Sequence, residues 1–185
     1  MNLFSATWRR RVSLGPEQSV RFCDAPVRNR TAVWLSLGSN LGDRRRNLER
    51  ALAALPGLGI ERLRTSHLYR TAPVGMRGSW FLNCVAAGET ALAPRPLLRR
   101  LQALEWKLGR RRLGPGYRAR TIDLDLLLYG NRRIATRELR VPHPAIGQRR
   151  FLLLGLRELG APLPAPATVA AAVRRQSVHA AGGKR

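Results

Sequence analysis

The segment Arg120-Thr-Ile-Asp-Leu-Asp-Leu-Leu-Leu-Tyr129 limits what this chain can fold into more than any other stretch. Its alternation predicts a strand. Ile122, Leu124, Leu126 and Leu128 share one face, and Thr121, Asp123, Asp125, Leu127 and Tyr129 share the other. Aspartate is disfavoured in strands, and like charges side by side on one face repel, so something positive has to stand beside Asp123 and Asp125. Two sources are open. One is an ordinary sheet with a wet face, on which the acids pair with nearby arginines. The other is a hard divalent cation such as Mg²⁺, which prefers oxygen ligands. The strand taken alone leaves the two readings even.

The rest of the chain is strongly cationic, with 34 Lys and Arg against 11 Asp and Glu and a formal charge of +23. Such a balance attracts polyanions: nucleic acid, acidic lipid or phosphorylated small molecules. All but two of these cations, Lys107 and Lys184, are arginine, whose fork suits phosphate oxygens. The arginines are spread along the whole chain, so compositional bias accounts for most of the excess and only a few are functional. No apolar run approaches the length of a membrane span. Cys23 and Cys84 form neither a disulfide framework nor a metal-spaced cluster, which fits a reducing cytoplasm.

At 185 residues the chain is expected to be one domain with tails. Residues 1–30 read as a poorly ordered basic extension, residues 31–165 as the domain, and residues 166–185 as an Ala-rich tail. The first strand is expected over 32–37, running into a Gly-Ser-Asn-Leu-Gly-Asp turn from Gly38. Asp43 can cap a helix with Leu48, Ala51, Leu52 and Leu55 at helical spacing, ended by Pro56-Gly57. A strand over 61–69, a loop over 71–79 and a strand over 81–90 follow. Pro94 and Pro96 open a second helix reaching Leu108. An Arg/Gly/Pro loop over 109–119 leads into the Asp-bearing strand. Val141-Pro-His-Pro144 reads as a rigid extended connection, and a third helix is expected over 149–159. The order β-α-β-β-α-β predicts an α+β, ferredoxin-like fold: an antiparallel sheet with helices on one face and a C-terminal helical extension.

Arg110, Arg111, Arg112, Arg118 and Arg120 lie close in sequence to the two acids. Arginines beside a paired-carboxylate metal site are what phosphoryl transfer requires, because both neutralise charge on phosphate oxygens. Gly109, Gly114, Pro115 and Gly116 would let that loop close over a ligand. Phe81 and Asn83 share a strand face and offer a ring for the flat side of a heterocycle and an amide for its edge. The Gly38–Asp43 turn lacks the spacing and the lysine of a P-loop. A competing reading is an RNA-binding module on the same fold, but only Phe81 sits where stacking aromatics are needed, and the acids occupy that face.

Residues 32–162 resemble the 6-hydroxymethyl-7,8-dihydropterin pyrophosphokinases of folate biosynthesis. The resemblance lies in Leu37-Gly-Ser-Asn-Leu-Gly-Asp43, the Tyr-Arg-Thr within 66–73, Phe81-Leu-Asn83, Arg120-Thr-Ile-Asp-Leu-Asp125 and Val141-Pro-His-Pro144. It implies transfer of pyrophosphate from ATP to the pterin hydroxymethyl oxygen, with release of AMP. By this resemblance Asp123 and Asp125 hold two Mg²⁺ ions, and Arg110 and Arg120 act in catalysis. Asn83 meets the pterin edge, Phe81 and Phe151 sandwich its ring, and Thr71 and Val74 line its pocket. Gln102, Glu105, Arg110, Arg112, Leu126, His143 and Arg149 fall at ATP-binding positions. The implied partners are ATP and the hydroxymethyl dihydropterin, with the product passing to dihydropteroate synthase; no membrane or specific nucleic acid is expected. Tyr117, Leu113, Glu138 and Arg140 depart from residues found in some members.

Overall fold

A computed structural model describes residues 30–73, 79–110, 119–163 and 178–181. The basic extension, Val74, Arg112 and the remaining loop arginines, Leu113 and Tyr117 lie outside them. The main sheet contains β1 (Thr31–Ser39), β2 (Ile60–Thr65), β3 (Tyr69–Thr71), β4 (Phe81–Thr90), β5 (Asp123–Tyr129) and β8 (Val178–Ala180), all paired antiparallel. Its order is β5-β1-β4-β3-β8, and β2 pairs with the other end of β4. A small hairpin, β6 (Ile134–Ala135) and β7 (Arg140–Val141), follows β5. Helix α1 (Arg44–Ala54) and helix α2 (Pro94–Lys107) pack on one face, and helix α3 (Arg150–Glu158) packs on the other. This is the α+β arrangement read from the element order.

The two faces have separate cores. Val33, Leu35, Leu37, Cys84, Ala86, Leu124 and Leu126 meet Leu48, Leu52, Leu97 and Leu101 of α1 and α2. Opposite them, Trp34, Val85, Ala87 and Leu127 meet Phe151, Leu152 and Leu156 of α3. The Asp43 carboxylate accepts the Arg46 N–H at 3.0 Å, so it caps α1 as expected. Gly155 explains how closely α3 approaches the sheet: a Cβ there would stand 2.5 Å from Val85 Cγ2.

Three expectations change. The strand expected over 61–69 is two strands, because the register against β4 slips near Arg62 and the chain breaks again at Ser66. The Ser66 hydroxyl there takes the Val85 N–H at 2.9 Å in place of a ladder bond. The first strand runs through Gly38 to Ser39, so Gly38 belongs to the sheet rather than to the turn. Strict alternation in β5 ends at a bulge: Leu35 faces Leu126 while Trp34 faces Leu128, leaving Leu127 as an extra residue. Leu127 and Leu128 therefore both join the α3 core, and Tyr129 joins the α1–α2 core with its hydroxyl on the Leu92 carbonyl at 2.6 Å.

Candidate active site

The bulge lies beyond the acids and leaves their alignment intact. Asp123 is opposite Gly38, which is opposite Asn83; one step along, Asp125 is opposite Ser36, which is opposite Val85. By strand alternation Phe81, Asn83, Gly38, Ser36, Asp123 and Asp125 share the face that α3 covers further along. Gly38 is the bare floor between amide and carboxylate, since a Cβ there would lie 2.6 Å from Asn83 Oδ1. Asn83 is buried, and its Nδ2 donates to Thr71 Oγ1 at 2.9 Å. Phe81 lies opposite Thr71 at the start of β4. Phe151 comes to the same side on α3 but is enclosed in its core.

Asp123 is held by both catalytic candidates among the arginines. Arg110 Nη1 lies 2.9 Å from its Oδ1, and Arg120 Nη1 lies 2.5 Å from its Oδ2. Both carboxylate oxygens of Asp123 thus have an arginine partner. Arg110 also pairs with the buried Glu105, which accepts the Leu124 N–H at 2.7 Å. Burial pushes the Glu105 carboxyl up to about 7, against the opposing pull of the Leu124 N–H and Arg110. Burial and then the Asp123 charge raise the Asp125 carboxyl, opposed by His143, Arg149 and Arg120.

A cavity of about 330 Å³ opens beside β5, between α2 and the β6–β7 hairpin. Gln102, Glu105, Arg110, Asp125, Leu126 and His143 line it, so six expected site residues converge there. Glu138 and Arg140, two of the departures, line it as well. The connection through His143 is not simply extended. The His143 N–H donates to Leu127 O at 2.9 Å, and its Nδ1 accepts the Ala145 N–H at 3.2 Å, capping a short 3₁₀ turn at Pro144–Gly147. An Nδ1 that accepts leaves Nε2 to carry the proton of the neutral ring, a donor for an anion. Arg149, the N-cap of α3, also acts electrostatically on Asp125.

Three positioning residues escaped the sequence reading. Asn40 fixes Arg120 by a reciprocal pair: its N–H donates to Arg120 O at 3.1 Å, and its Oδ1 accepts the Arg120 N–H at 2.6 Å. Gly38 was assigned to a turn, although a glycine closing an apolar strand is a sign of close backbone approach. Glu158, at the end of α3, accepts the Tyr69 hydroxyl at 3.0 Å and the His67 N–H at 3.1 Å, and no motif marks it.

Carboxylates, arginines and an edge cavity arranged in this way could meet the phosphates of a nucleotide. The family model for 7,8-dihydro-6-hydroxymethylpterin-pyrophosphokinase matches residues 34–161, and the chain belongs to that family. A folate synthesis bifunctional protein of Arabidopsis thaliana is 40% identical over 128 residues, covering 69% of this chain and 26% of that protein. The folic acid synthesis protein fol1 of Pneumocystis carinii is 38% identical over 141 residues, covering 74% of this chain and 18% of that protein. The chain thus spans about a quarter or less of these relatives. A crystal structure of an HPPK-DHPS in complex with substrates aligns with a TM-score of 0.54 at 14% identity, over 71% of this chain and 40% of that one, a likeness of fold.

Proposed function

We propose that this chain transfers pyrophosphate from ATP to 6-hydroxymethyl-7,8-dihydropterin and releases AMP. The observation that carries this reading is the row Asn83–Gly38–Asp123 across β4, β1 and β5. Two strand spacings separate the amide from the acid, roughly 10 Å. A pterin whose edge meets Asn83 and whose ring lies over the bare Gly38 floor directs its hydroxymethyl group towards the acids. The edge cavity would take ATP, with Asp125 common to both ligands.

The donor set fits Mg²⁺. Asp123 and Asp125 share one strand face and offer the oxygen ligands such a cation prefers. Asp125 is buried beside a second acid, a placement that favours a cation. Asp123 and Asp125 would hold two Mg²⁺ ions, which would supply positive charge to offset that developing on the phosphates. Arg110 and Arg120 would then leave Asp123 for the triphosphate, with Arg120 swinging from a backbone anchored on Asn40. His143 Nε2 and Arg149 add donors for phosphate, and Gln102 and Leu126 flank the nucleotide. Phe81 would border the ring, and Phe151, enclosed in the α3 core, remains assigned by resemblance. Val74 and Arg112 remain assigned by resemblance.

The hydroxymethyl oxygen attacks the β-phosphorus as the bond from that phosphorus to the α-phosphate oxygen breaks and the hydroxyl proton passes to solvent, so the pterin gains pyrophosphate and AMP departs. The relatives' names and the HPPK-DHPS title favour a product consumed by dihydropteroate synthase. Among the described residues no helix is long and apolar enough to cross a membrane, and a buried free Cys84 suits a reducing cytoplasm. Full-length protein with ATP, Mg²⁺ and the reduced pterin is expected to yield stoichiometric AMP and pterin pyrophosphate. Folded protein that forms ADP or no nucleotide product overturns the reading.

A further inference from the structure

The residues matched to the family end at 161, but the sheet continues. Strand β8 lies along β3, with Thr71 opposite Val178, Arg70 opposite His179 and Tyr69 opposite Ala180. The Ala181 N–H donates to Leu68 O at 2.9 Å, so by antiparallel alternation Arg70 and His179 form the next hydrogen-bonded pair. Without β8, the three residues of β3 would be a bare edge held by β4 alone.

Both faces of β8 reach the elements that flank the proposed pterin slot. On the site face, Val178 packs against the core that holds Tyr69 and Phe151. On the other face, the His179 ring lies 5.6 Å from the Trp80 ring, and the Arg70 guanidinium sits 5.6 Å over the same indole. Arg44 Nη1 donates to the Trp80 carbonyl at 2.8 Å, so the residue just before Phe81 is held from two sides. Thr71 in turn fixes the Asn83 amide.

We propose that β8 is an intramolecular strand addition that positions Thr71 and Asn83 and thereby sets pterin affinity; this rests on the pterin site proposed above. Its reach is one-sided. Four strand spacings, roughly 19 Å, separate β8 from β5, whose outer edge borders the nucleotide cavity. Loss of β8 should therefore weaken pterin binding and spare nucleotide binding, a split that a general loss of stability would not produce.

The test compares the full chain with a variant lacking residues 178–185 and with full-length His179→Pro, which removes an inward N–H from the β3–β8 pairing. Calorimetry measures pterin affinity in the presence of Mg²⁺ and a non-hydrolysable ATP analogue, and the affinity for the analogue alone. Hydrogen exchange follows the β3 amides. The deletion is expected to raise the pterin Kd about tenfold, equivalent to roughly 1.4 kcal/mol, while the analogue Kd stays within about twofold. Protection of β3 should fall in both variants, and an added peptide of residues 175–185 should restore the deletion variant. Unchanged pterin affinity with exposed β3 amides sinks the proposal alone, and equal losses for both ligands reduce β8 to general support. A full chain that binds no pterin removes the site assignment and the proposal with it.

Discussion

The proposed pterin side and the proposed phosphate side of this site are held by different physics. On the pterin side the contacts are neutral: the Asn83 amide on the Thr71 hydroxyl, its Oδ1 close against Gly38, where a Cβ would not fit. The sheet register alone puts these groups in place, so they need no ligand to complete them. On the phosphate side the groups are ionisable and held by one another: Asp123 by Arg110 and Arg120, and Glu105 by Arg110, with Asp125 in the field of its neighbours. Half-buried charges left alone would cost several kcal/mol, and the arginine pairs offset that cost. On the proposed reading one side is preformed, and the other would exchange partners on binding a nucleotide.

The largest effect should come from breaking the charged side at its centre. Asp125→Asn keeps the shape and removes the charge. Turnover should fall by roughly 10³-fold or more, because each carboxylate of such a clamp is worth several kcal/mol in the transition state. Stability should move the other way. The Asp125 carboxyl is raised in the fold, so its ionised form is disfavoured there, and a neutral amide relieves that cost at neutral pH. A rate close to that of the wild type defeats the metal-ligand role, and a lower Tm defeats the electrostatic account.

Glu105 sharpens the comparison through pH. Its folded pKa of about 7 lies above the ordinary 4.5, so its stabilising contribution is complete below about pH 4.5 and is lost as pH rises through 7. The loss amounts to at most roughly 3 kcal/mol for a shift of this size. Glu105→Gln can still accept the Leu124 N–H but cannot ionise. Chemical denaturation at several pH values should therefore find the Gln variant gaining on the wild type from pH 5 to 8. A constant difference over that range means that another group carries the titration.

Legibility in the sequence follows the same division. The element order and the Asp43 cap were readable because periodicity and capping chemistry are local. The bulge at Leu127 was not, since three consecutive leucines carry no polar marker of strand phase. The convergence of Gln102, Glu105, Asp125, Leu126 and His143 on one cavity was readable only through family resemblance, because those residues come from α2, β5 and the segment after β7. That Arg110 and Arg120 rest on Asp123 was unreadable, since sequence names the charges near an acid but not which of them reach it. Glu158 and β8 escaped for a related reason: their partners lie about ninety and about a hundred residues away.

The smallest effect probes the preformed side. Thr71→Val conserves volume and strand preference but removes the acceptor for Asn83 Nδ2. A buried amide that loses one partner gives up about 1 kcal/mol, so pterin KM should rise roughly fivefold. The ATP KM should stay the same, because the charged cluster makes no contact with Thr71 in the register of the sheet. Thr71→Ser restores the hydroxyl and should bring pterin KM back to within about twofold. If the valine variant changes the ATP KM as much as the pterin KM, the two sides are coupled through the sheet floor, and the contrast between a preformed half and an exchanging half fails.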